Sequence, residues 1–144
     1  MHQKDLRIKK AFTIASQNHQ KNNFKVAENH YKKVLKINPN HFGSIFYLGV
    51  LLLETNNFNR AKKLFHKAIQ IQPDYAPAHN NLGIIFDALE EVHKAIDSYQ
   101  KAIRIQPNYA SAHNNLGMVL QKLGEFKKAI SSYQTAIKIQ SNYV

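Results

Sequence analysis

Two histidines and four asparagines stand in a pattern that could carry chemistry. The letters AHNNLG occupy residues 78–83 and recur at residues 112–117, 34 positions on, so His79 matches His113, and Asn80 and Asn81 match Asn114 and Asn115. A histidine can ligate a metal or relay a proton, and an asparagine amide offers two donors and an acceptor. A duplicated catalytic centre would need acids, bases or nucleophiles beside them. The two histidines sit at the same place in successive copies, roughly a helix pair apart, too far to share a metal held within about 2 Å of each. Packing between copies is their expected role. The neighbouring carboxylates Glu90 and Glu91 fall at a turn, where solvent exposure is the usual state. The chain has no cysteine, which removes thiolate nucleophiles, disulfides and cysteine-based zinc or iron–sulfur sites. No glycine-rich phosphate loop, HExxH or GxSxG stretch occurs. The expectation is a protein that is not an enzyme and carries no metal or cofactor.

The copied letters belong to a longer period. Residues 76–109 and 110–143 share 21 identities in 34 positions without a gap, and stepping back twice by 34 aligns residues 42–75 and 8–41. Within these units, position 8 is Ala15, Gly49, Gly83 and Gly117; position 20 is Ala27, Ala61, Ala95 and Ala129. Position 24 is Tyr31, Phe65, Tyr99 and Tyr133, and position 32 is Pro39, Pro73 and Pro107, then Ser141. Positions 4, 7, 8 and 11 share one helical face, and 20, 24, 27 and 28 share another, so each unit predicts two short amphipathic helices. Small residues at 8 and 20 let the helices approach, and the aromatic at 24 fills the space beside them. Position 15 is Asn22, Asn56 and Gly124, residues that tolerate a left-handed helix end, with Glu90 as the exception. Proline at 32 ends the second helix.

With this period and these residues, the chain resembles the tetratricopeptide repeat family. The resemblance covers residues 8–143. It departs at position 4, where the family's frequent tryptophan is replaced by Ala11, Ile45, His79 and His113, and in the first unit, which has Ala15 for glycine and Asn18 at position 11. It implies an all-α right-handed superhelical solenoid of four helix-turn-helix units (8–41, 42–75, 76–109, 110–143) forming a single domain over 1–144, with residues 1–7 extending the first helix. The asparagines at position 6 are similar to those lining the groove in O-linked N-acetylglucosamine transferase repeats. They imply a row of amides that grips the backbone of an extended peptide; the alternative is that they hydrogen-bond neighbouring repeats.

The expected concave face is uneven. Phe12, Phe46, Tyr47 and Val50 give its first half an apolar character, with Phe46, Tyr47, Val50 and Leu53 read either as an exposed run or as partly covered by adjacent repeats. Asn80, Asn81, Ile84, Asn114, Asn115 and Met118 make the second half more polar. These ten residues, Leu53 apart, are the candidate peptide-binding groove. The lysine and asparagine set of the two-carboxylate clamp is absent from any three consecutive units, which disfavours chaperone-tail binding. The function expected is a scaffold that binds a protein or peptide partner; the alternative is the substrate-recruiting segment of a larger enzyme such as a glycosyltransferase.

Charge and hydropathy narrow the partners. The net charge is +11, and it is lopsided: residues 1–72 hold 13 Lys+Arg against 3 Asp+Glu, while residues 73–144 hold 7 against 6. The lysines fall mainly on second helices without interleaved aromatics, so nucleic acid is disfavoured. No apolar run approaches the ~20 residues of a membrane span, and the N-terminus lacks a signal-peptide core. A cytoplasmic protein without membrane contact is expected. After residue 143 no capping helix follows, so the expectation is either that the chain is cut from a longer repeat protein or that its last apolar face packs against another copy, a partner or a crystal neighbour.

Overall fold

The computed structural model describes residues 2–143 and contains only helices among them. The chain divides into two compact units, Met1–Ile71 and Gln72–Val144. Unit 1 holds α1 (Gln3–Gln20), α2 (Phe24–Ile37), α3 (Phe42–Glu54) and α4 (Phe58–Ile71). Unit 2 holds α5 (Ala76–Ala88), α6 (Val92–Ile105), α7 (Ala110–Lys122) and α8 (Phe126–Ser141). In each unit consecutive helices pair, the second helix of the first pair packs on the first helix of the next, and the two first helices, α1 with α3 or α5 with α7, also touch.

The pairing is built on the short list of recurring residues. Ala27, Ala61, Ala95 and Ala129 are all buried, as are Tyr31, Phe65 and Tyr99. A Cβ placed on Gly49 would lie 3.0 Å from the Phe65 ring; on Gly117 it would lie 2.7 Å from the Tyr133 ring, and on Gly83 it would press still closer on Tyr99. The glycine of the first helix is thus a seat for the aromatic of the second. Burial disfavours the charged form of these phenols, so Tyr99 is held well above its ordinary pKa, with repulsion from Asp87 adding to the effect.

The turn inside each pair is the same device four times. Asn22, Asn56, Glu90 and Gly124 all have φ between 59° and 78°. At each, the next residue's N–H reaches the carbonyl five residues back: Asn23 to Asn18 at 2.8 Å, Asn57 to Leu52 at 2.7 Å, Glu91 to Phe86 at 2.8 Å and Glu125 to Leu120 at 2.9 Å. This is the doubly bonded helix end that a left-handed residue permits. Glu90 adopts it in spite of its side chain, because the flanking helices must still meet through the Gly83–Tyr99 contact.

Candidate functional site

In unit 1 the face shared by α1 and α3 forms a groove of about 530 Å³. Phe12, Ser16 and His19 from α1 face Tyr47, Val50 and Glu54 from α3, and Tyr31 of α2 contributes from below. Phe12 is half-buried, with its ring centroid 5.9 Å from Tyr31, 6.2 Å from Tyr47 and 5.2 Å from His41. It comes this close because Gly43, at the start of α3, presents no Cβ; one there would lie 3.0 Å from the Phe12 ring. Tyr47 is 44% exposed. Burial raises the pKa of Tyr31, a hydrogen bond with Ser16 partly opposing the rise. The polar end of the groove is a bridge: His19 Nδ1 lies 3.3 Å from the Tyr31 hydroxyl and Nε2 lies 2.7 Å from a Glu54 carboxylate oxygen.

Phe46, a candidate groove residue beside these, is buried instead. Its ring stacks over Phe42 at 6.2 Å and meets Phe65 edge-on at 5.7 Å. A phenylalanine one helical turn from its neighbour on the packed side of α3 is a core residue, and only Tyr47, the next position round, turns outward.

In unit 2 the corresponding face of α5 and α7 is polar. Asn115 Nδ2 donates to Asn80 Oδ1 at 3.1 Å. Asn80 is only 4% exposed, so that amide is spent inside the unit. Asn81 and Ile84 are half-buried. Among the described residues Asn81 has no side-chain hydrogen-bond partner in the protein. Asn114 and Met118 are exposed and touch each other, Nδ2 to Sδ at 3.7 Å. Lys122 Nζ donates to both Asp87 carboxylate oxygens at 2.7 and 2.8 Å.

The bridges follow one rule. His19–Glu54 and Asp87–Lys122 each join position 12 of one repeat to position 13 of the next, 35 residues apart. Asn80–Asn115 joins positions 5 and 6 with the same offset. Aligning units at an offset of 34 hides such pairs, whereas scanning 35 residues ahead for complementary side chains would have found them. The histidines of AHNNLG also acquire a role: Nε2 of His79 and of His113 each donates to the carbonyl of Pro73 and of Pro107, at 2.8 Å in both cases. A carbonyl only accepts, so the ring proton sits on Nε2. The histidine fastens the first helix of a repeat to the proline turn before it.

Comparison with known proteins agrees with this construction. Family models described as tetratricopeptide repeat match residues 19–82 and 110–143, and one described as TPR repeat matches residues 85–124. A solved structure of a MamA protein is 31% identical over 94% of this chain and 74% of that one, with a TM-score of 0.84. The chain belongs to the tetratricopeptide repeat family. MamA from Desulfovibrio magneticus shows the same fold, at 23% identity and TM-score 0.87, over 94% of this chain and 76% of that one. The repeats are also similar to part of an O-GlcNAc transferase from Thermobaculum terrenum, at 28% identity over 83% of this chain and 23% of that one, with a TM-score of 0.77. A comparison with curated protein sequences gave no match. No helix of the described residues is long and apolar enough to cross a membrane.

Proposed function

We propose that the chain is a protein-interaction scaffold that takes an extended peptide along the first-helix faces of its repeats. The observation that carries this reading is the α1–α3 groove, where a tyrosine 44% exposed and a half-buried phenylalanine flank an open volume of about 530 Å³. Such a site matches the general form of a ligand pocket, apolar walls with a few convergent polar groups. Phe12, Tyr47 and Val50 receive an apolar side chain; Ser16, His19 and Glu54 supply hydrogen bonds. In unit 2, Asn81, Asn114 and Met118 with Ile84 offer amides and soft apolar atoms to a peptide backbone. Asn80, Asn115 and Phe46 support these residues from behind.

A phage-displayed peptide library panned on the intact chain tests the reading. Tyr47→Ala is expected to weaken the selected peptides by roughly tenfold, about 1.4 kcal/mol, without loss of helical content. Selected peptides that bind the variant as tightly as the parent overturn it.

A second reading, a substrate-recruiting segment of a larger enzyme, is favoured by the similarity to the transferase repeats. The length of the natural gene product decides between the two. Self-association is supported by α8, where Phe126, Ile130 and Ile137 are 62%, 55% and 62% exposed. Light scattering over a dilution series checks it: a concentration-dependent mass is expected, and a constant monomer removes the proposal.

A further inference from the structure

The face of unit 1 formed by α1 and α2, away from the α1–α3 groove, carries a second cleft. Its floor is Ala11, Ile14 and Ile37, all half-buried, and its open volume is about 340 Å³. Arg7 and Lys10 from α1 and Lys33 and Lys36 from α2 stand around it, each exposed. Among the described residues none of these four forms an ion pair; Glu28, the acid of α2, is taken by Lys32 and Arg60 at 2.7 and 2.6 Å. Asp5 lies in the first turn of α1, two residues before Arg7. His30, at the edge, is bound through Nδ1 to the Val26 carbonyl at 3.0 Å.

The same helix positions look different where a repeat packs on the one before it. Lys10 stands at position 3, which is Ser44 in α3 and Ala112 in α7, both fully buried. Ser44 lies on the helix packed against α2, and Ala112 sits in a cluster with Ala76 and Ala102. Arg7 stands one turn of sequence before its repeat's first alanine, where the following repeats place His41 and Tyr109. A helix pair of this chain's own kind, seated here as α2 seats on α3, would bury two cations against lysine-rich α2-type surfaces. The cleft therefore calls for a helix with carboxylates beside its apolar stripe.

We propose that the α1–α2 face of unit 1 docks an amphipathic acidic helix of a partner protein. Its apolar stripe covers Ala11, Ile14 and Ile37, and its flanking glutamates or aspartates meet Arg7 and Lys10 on one side and Lys33 and Lys36 on the other. Apolar floor and cationic rim together favour this occupant over a phosphate backbone, which would use the rim alone. The proposal is independent of the groove, since none of these residues lines it.

The test uses the intact chain and a labelled synthetic helix of about five turns, with leucines at three- and four-residue spacing flanked by glutamates. A control peptide carries lysine at every glutamate. Anisotropy titration is expected to show saturable binding of the glutamate peptide alone, weakened about tenfold or more by the double substitution Lys33→Glu and Lys36→Glu. Both sites are exposed, so the fold is expected to survive. Amide shifts are expected at Ala11, Ile14 and Ile37. No binding, equal binding of the lysine peptide, or shifts confined to Tyr47 and Val50 overturns the proposal. So does a short DNA duplex that displaces the peptide and binds equally well after Ile37→Asn, which identifies a nucleic-acid surface instead.

Discussion

In unit 1 the bridge between successive repeats joins His19 to Glu54 beside three aromatic rings; in unit 2 the bridge at the same positions joins Asp87 to Lys122 beside a row of amides. The scaffold under both is alike: an alanine at position 20, an aromatic at position 24 and a left-handed residue at position 15. The buried positions are held to a narrow choice because a helix pair closes only when its volumes fit. Positions such as Tyr47, Asn114 and Met118 face solvent, so they are free to differ, and the two units have used that freedom in opposite directions.

The comparison breaks most visibly if the shared scaffold is not equally important in both units. Phe65→Ala in unit 1 and Tyr99→Ala in unit 2 are each expected to lower stability by about 3–5 kcal/mol, read by denaturant titration with hydrogen exchange to localise the loss. A small effect at either site shows that the unit is held by something else. Next in size is the glycine seat. Gly83→Ala is expected to lose ~1–2 kcal/mol, because the new methyl meets a ring that cannot retreat, whereas Gly49→Ala should stay within ~0.5 kcal/mol, as helix propensity gained offsets a looser clash. Equal melting shifts for the two variants would erase the packing difference between units.

Smaller effects sharpen the comparison at the turns and ion pairs. Glu90→Gly is expected to stabilise unit 2 by about 0.5–1 kcal/mol, since glycine relieves a left-handed strain that Asn22 and Asn56 already tolerate in unit 1. An unchanged melting temperature would mean that Glu90 is not strained. The smallest effect is an acid-side pH dependence set by Glu28 in unit 1. Hydrogen bonds from Lys32 and then Arg60 hold the Glu28 carboxyl below its ordinary pKa. A lowered folded pKa contributes stability above the ordinary carboxylate value, and that contribution is lost as pH falls through the folded one. Its cationic partners are about half exposed, so the contribution is ~0.5 kcal/mol. Glu28→Gln is expected to melt lower than the parent at neutral pH and to converge with it in acid; parallel curves at all pH values would dismiss the pair.

The period of 34, the alternation of two amphipathic faces and the recurrence of Gly83 with Tyr99 and of Gly117 with Tyr133 were legible in the residues, because packing repeats whenever a helix pair repeats. Glu90 was legible as an oddity at its position but not as a left-handed residue, since a local preference yields when the surrounding helices dictate the turn. Phe46 and Tyr47 are adjacent aromatics, and a rotation of one residue about α3 decides which is core and which is surface.

The linear order therefore determined which residues form helices, where the turns fall and which small residues meet which rings, because all of these depend on contacts within one repeat. Tertiary structure decided what lies between repeats: that Asn80 is closed by Asn115, that His79 is bound to Pro73, and that Tyr47 rather than Phe46 lines the groove with Phe12. The reason is geometric. A contact between repeats depends on how far one helix pair is turned and raised against the next, and that rotation is set by the summed fit of many side chains, which no single spacing in the sequence records.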